Sequence, residues 1–265
     1  MTKARKLPAR LHVDASLDQS KLVLSPEQAH YLSRVLRCRE GEQLVVFNTR
    51  GEERLATIRS LAKRHPTLSL EQQLTPLPES RTRIVLLQGL VKSDAMDLIV
   101  QKATELGVDR IVAARTDFSV VKLDAERRER KLEHWRRIAL SACEQSGRHR
   151  PPAIELHPSL EDAIAALPSE TELIAFDLDA ENYLPDRVAT QSDVCVAIGP
   201  EGGFSPPERE TLKTRGFEIC SLDRHCHISS GRSDSSISSR VGGGGGGPHS
   251  RWAIATITPM IAPIS

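Results

Sequence analysis

The sequence predicts an α/β chain in two parts, a small β unit followed by a parallel sheet covered by helices. Three observations carry that expectation. Residues 1 to about 75 hold short apolar runs separated by turn sequences, and the non-periodic, two-proline segment TPLPES at 75–80 ends them. After it the strands become nearly continuous apolar runs, as expected of strands buried on both faces. From there strands alternate with helical periods, the pattern of a parallel sheet with helices on both sides. The expected bounds are 1–78, 79–222, and a Ser/Gly-rich tail over 223–265.

In the first part LHV, QLVVFN, ERLATIR and TLSLEQQ read as strands, with EGE and TRGE as turns. One helix lies among them. Ser25 is its N-cap, Pro26 suits the first helical position, and Gln28 completes a capping box. Its body, EQAHYLSRVLR, places Tyr31 or Leu32, Val35 and Leu36 on one side. His30, Arg34 and Arg37, at i, i+4 and i+7, fall on another, as an RNA-phosphate row or an ordinary solvated basic face.

The second part opens with RIVLLQGL as a buried strand. A helix follows over SDAMDLIVQKATELG, with Ser93 capping and Gly107 stopping it. IVAAR is the next strand. The helix from about 124 to 146 spaces Leu132, Trp135, Ile138 or Ala139, and Ala142 toward a core, and Gly147 ends it. AIEL, the helix SLEDAIAAL, LIAFD, VCVAIG, a helix opened by SPPERE, and FEICSL complete the series. From residue 223 the pattern stops, and six consecutive glycines at 242–247 sit in a linker-like composition expected to be disordered.

The sharpest motif is VCVAIGPEGGFSPPERE. It is a buried strand, a glycine loop, and a helix with Ser205 as N-cap and Glu208 as capping-box partner. Glycines at a strand's carboxyl end let backbone groups approach a ligand, and open α/β sheets bind ligands at that edge. The loop matches neither the dinucleotide nor the triphosphate fingerprint. A cofactor site and a tight strand-to-helix turn both fit it. The helix end ACEQSGRHRPP groups Glu144, Gln145 and Arg148, whose carboxylate, amide and guanidinium suit the edge of a planar base such as uracil, although a solvated helix end has the same composition. Lys102 and Glu105 are spaced as a surface ion pair. His225, Cys226 and His227 lack structural-zinc spacing, so no metal is expected.

Composition excludes several classes. Aromatics are 3%, too few to stack many bases on exposed rings. Lys+Arg 36 against Asp+Glu 35 rules out a histone-like or polybasic membrane-surface protein. Five cysteines without a C-x-x-C pair argue against a disulfide scaffold or zinc ribbon. The charged amino terminus has no apolar signal core and no run approaches the roughly 20 apolar residues of a membrane span. A soluble, cytoplasmic protein is expected.

Taken together, HYLSRVLRCREGE, GLVKSDAMDLIVQKATELGV, ACEQSGR and AIGPEGGFSPPERE closely resemble the RsmE family of 16S ribosomal RNA uracil-N3 methyltransferases, over residues from about 10 to 222. That resemblance implies a PUA-like β-barrel that holds RNA. It also implies a carboxyl-terminal domain of the SPOUT superfamily, which ties a trefoil knot around S-adenosyl-L-methionine and forms a homodimer. It places Ile198, Gly199, Pro200, Glu201, Gly202, Gly203 and Leu222 around the cofactor. Arg148 and Glu144 become the candidate catalytic pair. Arg10, His30, Arg34, Arg37 and Gln145 become the RNA-binding set, and the partner is 16S rRNA in the small ribosomal subunit.

The sequence departs from the family after Leu222, where a glycine, an L-R-x-E-T-A element and an alanine-rich last helix are replaced by the biased tail. So abrupt a change suggests a reading-frame shift. Two alternatives stand beside the leading reading: a SPOUT methyltransferase with another RNA target, and an RNA-binding remnant whose knot no longer catalyses.

Overall fold

The computed structural model describes residues 8–62, 65–75, 80, 82–119, 125–177, 180 and 193–221. Leu222, the tail and the His225 cluster lie outside the described residues. The chain divides into two compact units, Met1–Glu79 with Leu140–Pro151, and Ser80–Ala139 with Pro152–Ser265.

In the first unit five strands form a sheet in the order β1-β3-β4-β5-β2. These are β1 (Ala9–His12), β2 (Lys21–Val23), β3 (Gln43–Phe47), β4 (Glu53–Ser60) and β5 (Thr67–Gln73). β1 runs parallel to β3, and the other pairs are antiparallel. Leu11, Leu22, Leu32, Leu44, Val46, Ile58 and Leu68 meet in one core, each worth about 1.5–3 kcal/mol of removed apolar surface.

Helix α1 (Pro26–His30) begins as its sequence dictates: Ser25 Oγ accepts from Gln28 N at 3.1 Å, and Gln28 Oε1 accepts from Ser25 N at 2.9 Å. It does not continue as an α-helix. Tyr31–Val35 widen into a π-turn closed by Leu36 N donating to Tyr31 O at 3.0 Å. A wider turn breaks the 3.6-residue period, and this corrects two expectations. Val35 is 60% exposed rather than packed with Leu32. His30, Arg34 and Arg37 are all exposed but do not share one α-helical face, because Arg37 lies past the turn with φ of 55°.

In the second unit six strands among the described residues form one sheet, all paired in parallel, in the order β11-β9-β10-β6-β7-β8. They are β6 (Ile84–Gly89), β7 (Arg110–Ala114), β8 (Ala153–His157), β9 (Thr171–Phe176), β10 (Asp193–Ile198) and β11 (Glu218–Cys220). Alternation along β6 distributes its side chains. Ile84 and Leu86 join a core with α2 (Ser93–Leu106) and α3 (Ala125–Ser146) through Met96, Ile99, Leu132 and Trp135. Val85 and Leu87 join another with α4 (Leu160–Ala165) and α5 (Pro206–Thr214) through Ile164, Phe204 and Leu212. Helices therefore cover both faces, as the strand–helix alternation predicts.

Gly107 ends α2 in the left-handed conformation, φ 91°. Ser93 is not its cap: Lys92 occupies that position without a side-chain bond, and Ser93 Oγ instead accepts from Lys131 Nζ at 3.1 Å. The spacing on α3 holds, with Leu132, Trp135, Ala139 and Ala142 all buried. Lys102 and Glu105 pair at 2.7 Å.

Candidate functional site

The carboxyl ends of β6, β7 and β10 lie side by side, the edge at which open parallel sheets bind ligands. The loop leaving β10 folds back on itself there. Gly203 N donates to Pro200 O at 2.9 Å, and Gly203 adopts φ of 73°. Two glycines permit this close approach. A Cβ on Gly199 would stand 2.7 Å from the Gly203 carbonyl carbon, and one on Gly89 would stand 2.7 Å from Pro200 Cδ. Within the loop Pro200 is buried, Gly202 is exposed, and Ile198, Gly199, Glu201 and Gly203 are half-buried.

The loop is braced on its far side by the start of α5. Ser205 Oγ accepts from Glu208 N at 3.4 Å and Glu208 Oε2 accepts from Ser205 N at 2.9 Å, completing the capping box. The box also reaches across to the segment after β7: Ser205 Oγ donates to Asp117 Oδ2 at 2.5 Å, and Asp117 N donates to Glu208 Oε1 at 2.9 Å. Next to Asp117, the half-exposed Phe118 ring sits close enough to Gly202 that a Cβ there would meet it at 3.2 Å. Ser119 Oγ donates to Leu90 O at 3.0 Å and ties the same segment to the end of β6.

A second polar cluster lies within the first unit, where the carboxyl end of α3 meets the strands. Glu144 accepts from His12 N through Oε1 at 3.0 Å and from Tyr31 Oη through Oε2 at 2.9 Å. Burial raises the Glu144 pKa above the ordinary carboxylate value, and the bonds from His12 and Tyr31 offset only part of that. Burial, reinforced by the Glu144 carboxylate, pushes the Tyr31 phenol to about 12. Arg10 pairs with Glu53, lies 4.7 Å above the Phe47 ring centroid and donates to Arg148 O at 3.5 Å.

An open cleft of about 980 Å³ adjoins this cluster and brings together Arg10, Arg37, Glu144 and Gln145. Arg148 does not line the cleft; its backbone carbonyl accepts from Arg10. His30 and Arg34 do not line the cleft. Among the described residues no cluster of three or more His, Cys, Asp or Glu is arranged to hold a metal. No described helix is long and apolar enough to cross a membrane.

Residues 78–226 match the RNA methyltransferase domain family, and residues 24–71 match the RNA methyltransferase PUA domain. The ribosomal RNA small subunit methyltransferase E of Aquifex aeolicus is 34% identical over 193 residues, covering 72% of this chain and 81% of that protein. The chain belongs to the ribosomal RNA small subunit methyltransferase E family. Two solved structures share the fold and carry the cofactor. One is a Legionella pneumophila methyltransferase in complex with SAM, at 28% identity and TM-score 0.80, with 96% of each chain covered. The other is the Neisseria gonorrhoeae methyltransferase E bound to S-adenosyl methionine, at 25% identity and TM-score 0.78, again with 96% of each chain covered.

For a member of this family, two residues at the sheet edge escape a reading by motif, Gln88 and Asp117, while Gly89 opens GLVKSDAMDLIVQKATELGV without a role being read from it. Gln88 is hidden inside an apolar strand, and the one signal was an amide in a run of aliphatic side chains. Asp117 follows β7 in a stretch with no pattern, and only the folded chain sets it against Ser205.

Proposed function

We propose that this chain transfers the methyl group of S-adenosyl-L-methionine to uracil N3 in 16S ribosomal RNA, the family target being the uridine at position 1498. The observation that carries this is the folded-back Ile198–Gly203 loop at the carboxyl edge of a parallel sheet, in a chain of this family. The loop's folded-back form depends on Gly89 and Gly199, whose Cβ atoms would collide with Pro200 and Gly203. Ile198, Gly199, Pro200, Glu201, Gly202 and Gly203 would hold the cofactor, with Leu222 beyond the described residues as a further wall. When bound, it supplies a sulfonium methyl already activated for transfer, so no covalent enzyme intermediate is required.

The protein then has to orient the base and help N3 lose its proton. Arg148 is assigned to charge developing on the uracil ring, Glu144 to accepting the proton, and Gln145 to the base edge. The raised pKa of Glu144 supports its part, since it makes the carboxylate a better base than an exposed one. Arg10, His30, Arg34 and Arg37 are assigned to the RNA backbone; the exposure of His30, Arg34 and Arg37 supports this, while Arg10 shapes the cleft wall. Residues 1–78 serve as the PUA-like RNA-holding domain and 79–222 as the methyltransferase domain, in a cytoplasmic homodimer.

A SPOUT trefoil knot belongs to the same proposal. It is supported by the strand order, in which β10 returns between β9 and β6 after both flanks of the sheet exist. Mass spectrometry of rRNA from a deletion strain, with and without this exact chain, tests the function. Restored N3-methyluridine supports it and persistent absence overturns it. Unchanged turnover of Arg148→Ala on 30S subunits would remove that residue's role. The altered sequence after Leu222 favours one second reading, an RNA-binding remnant, which calorimetry separates by the absence of adenosylmethionine binding.

A further inference from the structure

β6 reads IVLLQG, and its Gln88 is 0% exposed among aliphatic neighbours. An amide in such surroundings is costly unless its groups are bonded. Its Nε2 donates to Gly89 O at 2.9 Å and to Ile198 O and Gly199 O at 3.3 Å each. Two N–H groups thus serve three carbonyls, one of them shared. Ile198 is the residue paired with Gln88 across the β10–β6 ladder, so the amide caps both strands where their ladder ends. The opposite amide orientation would press Oε1 against those carbonyls, which fixes the assignment of nitrogen and oxygen.

Oε1 itself is buried and has no hydrogen-bond partner among the described residues. Leaving such an acceptor unpaired costs about 1–3 kcal/mol. A leucine of similar size would fill the space without that cost. The amide's advantage therefore lies in what Nε2 holds: the Ile198 and Gly199 carbonyls, at the entry of the loop that Gly89 and Gly199 allow to fold back.

We propose that Gln88 is a positioning residue for the methyl-donor pocket, its side-chain amide holding the Ile198 and Gly199 carbonyls in the conformation that presents the glycine loop to the cofactor. This rests on the assignment of that loop to adenosylmethionine. Gln88 acts through the backbone and does not itself touch the cofactor.

The test uses the full chain with Gln88→Leu and Gln88→Glu, read by adenosylmethionine calorimetry and by kinetics on 30S subunits well below each variant's melting temperature. Gln88→Leu is expected to weaken cofactor binding by about tenfold or more, in proportion to the loss of loop placement, while KM for the 30S subunit stays unchanged. In Gln88→Glu, cofactor affinity is expected to recover as pH falls. A protonated carboxyl can donate to one carbonyl, whereas a carboxylate repels all three. Wild-type affinity should be flat over the same range, and a merely structural role would not produce that difference. In the wild-type chain, exchange of the Gln88 side-chain amide protons should slow on saturation with adenosylmethionine, a readout that stands even where a variant does not fold. Unchanged exchange, or wild-type affinity in both variants at every pH, overturns the inference while leaving the loop's assignment intact. Failure of the wild-type chain to bind adenosylmethionine overturns that assignment and this inference with it.

Discussion

Gly89→Ala isolates the contact on which the glycine loop depends. Gly89 is not in the left-handed region, so alanine strains nothing in the backbone and the effect is steric alone. The added Cβ would stand 2.7 Å from Pro200 Cδ, 2.9 Å from Pro200 N and 3.2 Å from the Gly199 carbonyl carbon. Carbon contacts settle at about 3.5–4.0 Å, so the loop has to retreat by roughly 1 Å. Ring and backbone atoms cannot swing aside as a side-chain tip does. Overpacking of this kind costs about 1–3 kcal/mol, which at about 2–4 °C per kcal/mol lowers the melting temperature by roughly 2–12 °C. A misplacement of about 1 Å is also worth up to about 100-fold in function, so adenosylmethionine affinity should fall by one to two orders of magnitude. Differential scanning and titration calorimetry measure the two effects. Gly202→Ala is the comparison for melting temperature alone: its Cβ would meet side-chain atoms of the half-exposed Phe118, Cδ2 at 3.2 Å and Cβ at 3.3 Å, rather than backbone, so a smaller loss of stability is expected. Wild-type melting and wild-type affinity in Gly89→Ala would refute the reasoning.

Glu144→Gln should change the pH dependence of stability. The folded-state pKa of Glu144 is raised, so its contribution is full below the unfolded value and declines as pH rises through the folded one. In denaturant melts from acid to neutral pH the decline should appear in the difference between wild type and variant, because Glu52, Glu155 and Asp193, held below the ordinary carboxylate range, pull the whole-chain profile the other way. Ser205→Ala removes the α5 cap and its bond to Asp117, and should cost about 1–2 kcal/mol by chemical denaturation; a loss below a few tenths would show the cap is redundant. Burial pushes the thiols of Cys143 and Cys195 to about 12 and that of Cys220 to about 11. With Cys38 and Cys226 replaced by Ser, the native chain should react with a thiol reagent only as fast as it unfolds. Rapid labelling under native conditions would contradict the buried placement.

Local rules made much of this fold legible. The capping boxes at Ser25–Gln28 and Ser205–Glu208 involve groups three residues apart, and both formed as their sequences prescribe. The apolar spacing on α3 likewise predicts the burial of Leu132, Trp135 and Ala139, since a regular helix turns at a constant rate. The same reasoning misplaced Val35, because π geometry changes that rate and nothing in EQAHYLSRVLR announces it. Ser93 has the composition of a cap, yet the helix begins at it rather than after it.

The sequence by itself determined the α/β class, the glycine loop after a buried strand, and the family to which these motifs point, because each depends on spacing within a few residues. Only the tertiary structure decided that β10, besides pairing with its chain neighbour β9, pairs on its other edge with the distant β6. That pairing sets Gln88 against carbonyls 110 and 111 residues away and Pro200 against Gly89. Such neighbours follow from how the strands are ordered in the sheet, and no periodicity along one segment encodes the identity of the segment that will lie beside it.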